Sequence, residues 1–212
     1  MLFLEAVARI ERGLSGELPG ATAHAWLAPI PRREWPTGFN PGRVRNAAGL
    51  LLVFPVNDAA HVVLTVRADT LGRHSGQVSL PGGVVEPGET FEDAALREAC
   101  EEVALARDGV RVLGALTPLD IPVSGFRLHP VVAVVDAPPS LAASDGEVAR
   151  ILAVPVADLI GSRYLRLTER IRNGRALTIP AFHVCGEEIW GATAMVLAEF
   201  LALLGWTPKT TR

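Results

Sequence analysis

Glu98, Glu101 and Glu102 sit three and four residues apart in Ala94–Val103, a run of strong helix formers with no breaker. A helix turns about 100° per residue, so the three carboxylates fall within an arc of about 100°. Carboxylates this close repel one another unless protons or a cation sit among them. Oxygen donors without His or Cys suit Mg2+ or Mn2+ better than zinc. Arg97, four residues before Glu101, is placed to pair with that carboxylate and fix its rotamer. A solvated acidic helix face has the same spacing, and on these three residues alone the two readings stand level. The residues ahead tip the balance. Gly82-Gly83 lets backbone approach a ligand or metal closely. Glu89 adds an acid at the mouth of the helix, where it also suits the helix dipole. Thr90 is a good N-cap, and Asp93 stands where a capping-box acid reaches back.

Cations stand upstream. Arg67 closes an apolar run, and Arg73-His74 lie in a glycine-bounded segment just before Gly82-Gly83. Guanidinium forks at these positions could hold the phosphates of a nucleotide. The plainer readings are a surface cation at a strand end for Arg67 and a satisfied loop histidine for His74. Glu147, after Ser144-Asp145-Gly146, reads by itself as an exposed loop acid, and Asp120 is given no role. Trp190 and Trp206 read as packing residues, although an aromatic ring can stack on adenine.

These groups need elements to hold them. Leu2–Leu14 carries Phe3, Val7, Ile10 and Leu14 at helical spacing. Ser15–Arg43, with five prolines, reads as an irregular arm packed down by Trp26, Trp35 and Phe39. Ala47–Pro55 and His61–Arg67 form a hairpin across Asn57-Asp58-Ala59-Ala60. Ala68–Pro87 reads as loop and Phe91–Leu105 as helix. Strands are expected at Val110–Leu116, Leu128–Val135, Ala149–Val156 and Ala176–Val184, with a Pro/Gly loop at Thr117–Phe126 and a closing helix at Trp190–Leu204. The pattern is α/β: a mixed sheet flanked by helices. Residues 1–43 form a helix and arm on the domain, and residues 44–212 the domain itself.

With 212 residues, 49% of them hydrophobic and 20% charged, the chain can bury a core without metal or disulfide staples. A net charge of −3 and a pI near 6.0 give no basic field for nucleic acid or acidic membranes. A polyanion must therefore be held by a few placed cations or by a metal. Cys100 and Cys185 match no zinc spacing or disulfide framework and read as reduced thiols in the cytoplasm. The apolar runs Ala47–Val56 and Met195–Leu204 fall short of the ~20 residues of a membrane span, and Met1–Val7 lacks the basic start of a secretory signal.

Gly83, Glu89, Arg97, Glu98, Ala99, Glu101, Glu102 and Leu105 resemble the Nudix box, G-x5-E-x7-R-E-u-x-E-E-x-G-u with u apolar. The departure is Ala104 where the family has Gly, which is expected to change how the helix ends rather than the chemistry. Leu64–Gly83 resembles the signature of the coenzyme A pyrophosphatase branch, with Arg67, Ala68, Gly76, Pro81, Gly82 and Gly83 in register. Gly72 stands where that branch has Arg, and Leu80 where it has Phe. The resemblance implies a Nudix α/β/α sandwich that cleaves the diphosphate of coenzyme A or acyl-coenzyme A. It implies Mg2+ or Mn2+ held by Glu98, Glu101, Glu102 and the Gly83 carbonyl, with a box glutamate or Glu147 as base and Arg97 orienting. It further implies substrate contacts from Arg67, Arg73, His74, Gly82 and Gly83. The implied partner is a small nucleotide, with neither nucleic acid nor membrane, and the oligomeric state, a homodimer included, stays open. The rivals are a Nudix hydrolase of another nucleoside diphosphate derivative, such as ADP-ribose or a dinucleotide, and a non-catalytic Nudix-fold binding module.

Overall fold

A computed structural model describes residues 1–68, 76–144, 146–172 and 175–208. The chain runs α1 (Phe3–Leu14), α2 (Gly20–Trp26), β1 (Arg45–Val56), β2 (Ala59–Arg67), β3 (Val78–Ser79), β4 (Gly82–Val84) and α3 (Phe91–Val103). It continues with β5 (Arg111–Ala115), β6 (Leu119–Ile121), β7 (Phe126–Val134), β8 (Val148–Pro155), α4 (Val156–Ile160), β9 (Leu165–Arg172), β10 (Arg175–Val184), β11 (Glu187–Ile189) and α5 (Gly191–Leu203).

β1 is the axis of the larger sheet, whose main path is β3-β2-β1-β7-β5; β4 adds to β1, β6 to β7 and β8 to β2. β1 and β7 run parallel and the other described pairs antiparallel, so the sheet is mixed as expected. The β1–β2 hairpin turns on Asn57 and Asp58, both at positive φ (47° and 62°), the geometry that suits the twist of a two-residue hairpin. A second sheet, β11-β10-β9, lies beside it.

Alternation along β1 splits the core in two. Leu51 and Val53 pack in the cluster with α1 and α5, whereas Ala48, Leu50, Leu52 and Phe54 pack with α3. This is an α/β sandwich with helices on both faces of the sheet. On α3 the buried face is small, Ala94, Ala95, Ala99 and Val103, which lets the helix lie close to β1. No helix among the described residues is long and apolar enough to cross a membrane.

Three expectations are corrected, and one strand is additional. The arm is not wholly irregular: Gly20–Trp26 is helical. Tertiary bonds hold it, because the buried Glu199 of α5 accepts from Gly20 N at 3.1 Å, His24 Nε2 at 2.9 Å and Thr117 Oγ1 at 2.6 Å. Burial acts to raise the Glu199 carboxyl, but these hydrogen bonds outweigh it and hold the group below its usual range. The Thr117–Phe126 loop contains β6, paired to the start of β7. The Ala68–Pro87 segment contains β3 and β4, held by β2 and β1. β9 is a strand beyond those expected: Leu165, Leu167 and Ile171 alternate with polar residues, but Leu167 and Ile171 stay exposed, and pairing with β10 makes the strand.

Candidate active site

β4 carries Gly82 and Gly83 along β1, with Gly83 opposite Ala48 and Gly82 opposite Gly49. α3 begins a few residues later. Thr90 Oγ1 caps it, accepting from Asp93 N at 3.1 Å and donating to the Asp93 carboxylate at 2.6 Å. Its close packing on β1 presses two acids against the glycine pair. Glu102 accepts from Gly82 N at 3.1 Å. A Cβ on Gly83 would stand 2.3 Å from Glu98 Oε1, and one on Gly82 2.3 Å from the Ala48 carbonyl oxygen. At Gly82 the obstacle is backbone, so only glycine fits there, whereas at Gly83 a methyl group would displace the Glu98 carboxylate.

Arg97 binds more than Glu101. Its Nε and Nη2 donate to the two oxygens of Glu89 at 2.8 and 3.1 Å. Nη1 donates to Glu98 at 3.0 Å and to Glu101 at 3.1 Å, and Nη2 also reaches the Val84 carbonyl at 3.0 Å. The Arg97 bonds hold the Glu89 carboxyl below its usual range, and Glu89 and Glu98 in turn raise Arg97.

Glu102 is 6% exposed. Burial pushes its carboxyl up to about 7, against the Gly82 N–H and the Arg67 charge, while Glu98 and Glu147 add to the rise. Glu147 therefore belongs to the same acidic neighbourhood. The loop before it docks on the end of α3, with Ser144 N bonding the Glu102 carbonyl at 2.9 Å and Ala142 N the Val103 carbonyl at 3.0 Å. Glu147's own carbonyl accepts from Ala68 N at 2.9 Å, which ties this loop to the end of β2. Arg73, His74 and Gly72 lie outside the described residues.

A cleft of about 1060 Å³ opens on the face of the sheet away from α3. Val84, Ala47, Leu128 and Leu119 form one cross-strand row and all border it, as do Gly82, Gly83 and Arg67. Glu98 and Glu102 stand against Gly83 and Gly82, the glycine pair that borders the cleft. Trp190 borders the cleft with Arg170 4.9 Å above its ring, whereas Trp206 packs inside against Trp26 and Phe182. Asp120 also borders the cleft but is engaged by Arg127 at 2.7 Å, which holds its carboxyl below the usual range. The sequence reading missed Arg32 and Arg33 of the arm, which border the same cleft. Their one local sign is a dibasic pair in a proline-rich stretch, which says nothing about where the arm lies.

Among the described residues no three acidic, histidine or cysteine side chains converge on one point, since Glu98 and Glu101 are turned towards Arg97. The donor chemistry nevertheless fits a hard divalent cation. Glu98 and Glu102 flank the Gly82-Gly83 backbone, Glu101 is more than half exposed, and all the donors are oxygens.

The NUDIX domain family matches residues 45–178. The chain is 37% identical over 150 residues to the uncharacterized Nudix hydrolase NudL of Cronobacter sakazakii, covering 69% of this chain and 77% of that protein. It is 33% identical over 172 residues to NudL of Citrobacter koseri, covering 79% and 88%. Among solved structures, the fold is similar to that of RenU, a Nudix hydrolase of M. smegmatis, with a TM-score of 0.56 and 22% identity over 79% of this chain and 90% of that one. The matched segment runs from β1 through α3 and into β10 and includes every box residue from Gly83 to Leu105, so this chain belongs to the Nudix family.

Proposed function

We propose that the protein hydrolyses the diphosphate bridge of coenzyme A or an acyl-coenzyme A, releasing 3′,5′-ADP and 4′-phosphopantetheine or its acyl form. The observation that carries the reading is the meeting of Glu98 and Glu102 at the Gly82-Gly83 backbone, with Arg67 at the border of a nucleotide-sized cleft. The Leu64–Gly83 signature supports the choice of coenzyme A within the coarser class of nucleoside diphosphate derivatives.

Glu98, Glu101, Glu102 and the Gly83 carbonyl would hold Mg2+ or Mn2+, which neutralises diphosphate charge and lowers the pKa of water. Arg67 pairs with a phosphate oxygen at the cleft border. Arg97 keeps Glu98 and Glu101 oriented and does not react. A water oxygen attacks one phosphorus, the bond from that phosphorus to the bridging oxygen breaks, and the second phosphate leaves with the electron pair. The proton of the water passes to Glu147 or to a box glutamate. Glu147 suits the task because it lies close enough to act on Glu102 and sits on an exposed loop.

The test is a panel of coenzyme A, acetyl-coenzyme A, ADP-ribose, a dinucleoside polyphosphate and a nucleoside triphosphate, each with Mg2+, with Mn2+ and with chelator, products identified by mass. Cleavage of the coenzyme A compounds with the highest kcat/KM, abolished by chelator, is the expected result. Preference for ADP-ribose would move the protein to another Nudix substrate, a reading that the Gly72 departure favours. Turnover of nothing would make it a binding module.

A further inference from the structure

We propose that the arm ahead of the family-matched segment is part of the substrate site, and that Arg32 and Arg33 form a second anion subsite for a phosphomonoester on the nucleotide. The inference rests on the function proposed above and deepens it.

Two anchors fix the dibasic pair. Ile30, two residues before Arg32, exchanges both backbone hydrogen bonds with Thr178 of β10 at 2.9 Å. Trp35, two residues after Arg33, donates from Nε1 to Asp120 of β6 at 3.4 Å and stacks on Phe39 with ring centroids 4.3 Å apart. The pair is thus held at the border of the cleft rather than carried on a free tail. Among the described residues neither guanidinium donates a hydrogen bond; of the acids at this border, Asp120 feels the Arg32 charge but is bonded by Arg127, and Glu34 adjoins Arg33. Two adjacent arginines with unspent donors on a clamped backbone suit a multiply charged oxyanion.

The position says which anion. The cross-strand row Val84, Ala47, Leu128, Leu119 has β4 at one end and β6 at the other. Three strand spacings separate these ends, about 14 Å. The diphosphate to be cleaved belongs at the β4 end, beside Gly82-Gly83 and the box acids. The arm is tied down by Asp120 at the β6 end, so the anion it meets is a different one. A nucleotide with a phosphate monoester besides its diphosphate, as in the 3′-phosphate of coenzyme A, supplies it. The floor between the two ends is apolar, which suits the body of a nucleoside rather than further charge.

The experiment compares wild type, Arg32→Ala, Arg33→Ala and the double variant on coenzyme A and on 3′-dephospho-coenzyme A, which differ only in that phosphate. We expect the double variant to lose ten- to a hundredfold in kcat/KM on coenzyme A and less than twofold on the dephospho form, with an unchanged thermal midpoint. Equal losses on both substrates, or no loss on either, would overturn the subsite. Calorimetric titration with 3′,5′-ADP and with 5′-AMP decides the matter even if neither coenzyme is cleaved. Wild type should bind 3′,5′-ADP at least tenfold tighter and the double variant should bind the two alike. Retention of the preference in the variant, or its absence in wild type, refutes the subsite whatever the fate of the proposed reaction.

Discussion

Arg97 and Glu89 are joined by two hydrogen bonds, Nε to Oε1 at 2.8 Å and Nη2 to Oε2 at 3.1 Å, which leave Nη1 to bridge Glu98 and Glu101. Glu89 thus holds the fork that holds two of the acids. A lysine keeps the charge but cannot span three carboxylates from one planar group. Arg97→Lys should lower kcat/KM by roughly a hundredfold, the scale of a misplacement of about 1 Å at a reacting centre. The fold should survive, because α3 is packed by the alanines of its other face. A steady-state comparison of the lysine variant with wild type checks this, and wild-type turnover in the variant would remove Arg97 from the positioning role.

Glu102 sets a pH dependence in the absence of metal. Its carboxyl rises from an ordinary 4.5 to about 7 on folding, so the folded protein binds more protons than the unfolded chain between those values. The stabilisation is fully present below 4.5 and is lost as pH rises through 7, a change of about 3 kcal/mol. Glu199 acts with the opposite sign: its lowered carboxyl favours the fold above 4.5 and is lost in more acid solution. In chelator, the thermal midpoint should climb as pH falls from 8 to about 5, and Glu102→Gln should flatten the slope and raise the midpoint at pH 8. A midpoint independent of pH in wild type would contradict this.

Ala104 ends α3 in the left-handed region, φ 52° and ψ 35°. The helix therefore stops with the turn that the family's glycine would make, and the substitution introduces strain rather than a new ending. An alanine there costs about 1–2 kcal/mol. Glycine relieves the strain but loosens the unfolded chain by roughly half to one kcal/mol. Ala104→Gly should stabilise the protein by about 0.5–1 kcal/mol in denaturant unfolding and leave kcat unchanged. Destabilisation would mean that the alanine methyl has a packing role.

What the sequence disclosed was what is local. The carboxylate spacing, the Thr90 cap and the Asn57-Asp58 hairpin are written within a few residues of one another and needed no tertiary knowledge. The pairing of Glu199 with His24 and Thr117 was hidden because the three come from α5, α2 and the link after β5, and a lone acid in an apolar helix has no local partner to betray it. The place of Arg32 and Arg33 at the cleft border was hidden for the same reason, since it depends on Ile30 meeting Thr178 from far along the chain. β4 is three residues long and takes its strand form from pairing with Ala47, Ala48 and Gly49 of β1.

The two glycines of β4 should respond differently to the same substitution. In Gly83→Ala the new methyl group meets the carboxylate of Glu98, a side chain that can turn away. In Gly82→Ala it meets the Ala48 carbonyl oxygen and the Gly49 Cα, 2.3 and 2.6 Å away, and that backbone lies in the central strand. Gly83→Ala should therefore fold with a near-normal thermal midpoint and lose at least a hundredfold in kcat, because Glu98 is driven out of its place beside Gly83. Gly82→Ala should express poorly or melt well below wild type, since β4 must part from β1 and Glu102 loses the Gly82 N–H. Thermal melts and turnover of the two variants, purified side by side, check the contrast. An active Gly83→Ala enzyme would place the reacting phosphate away from Glu98.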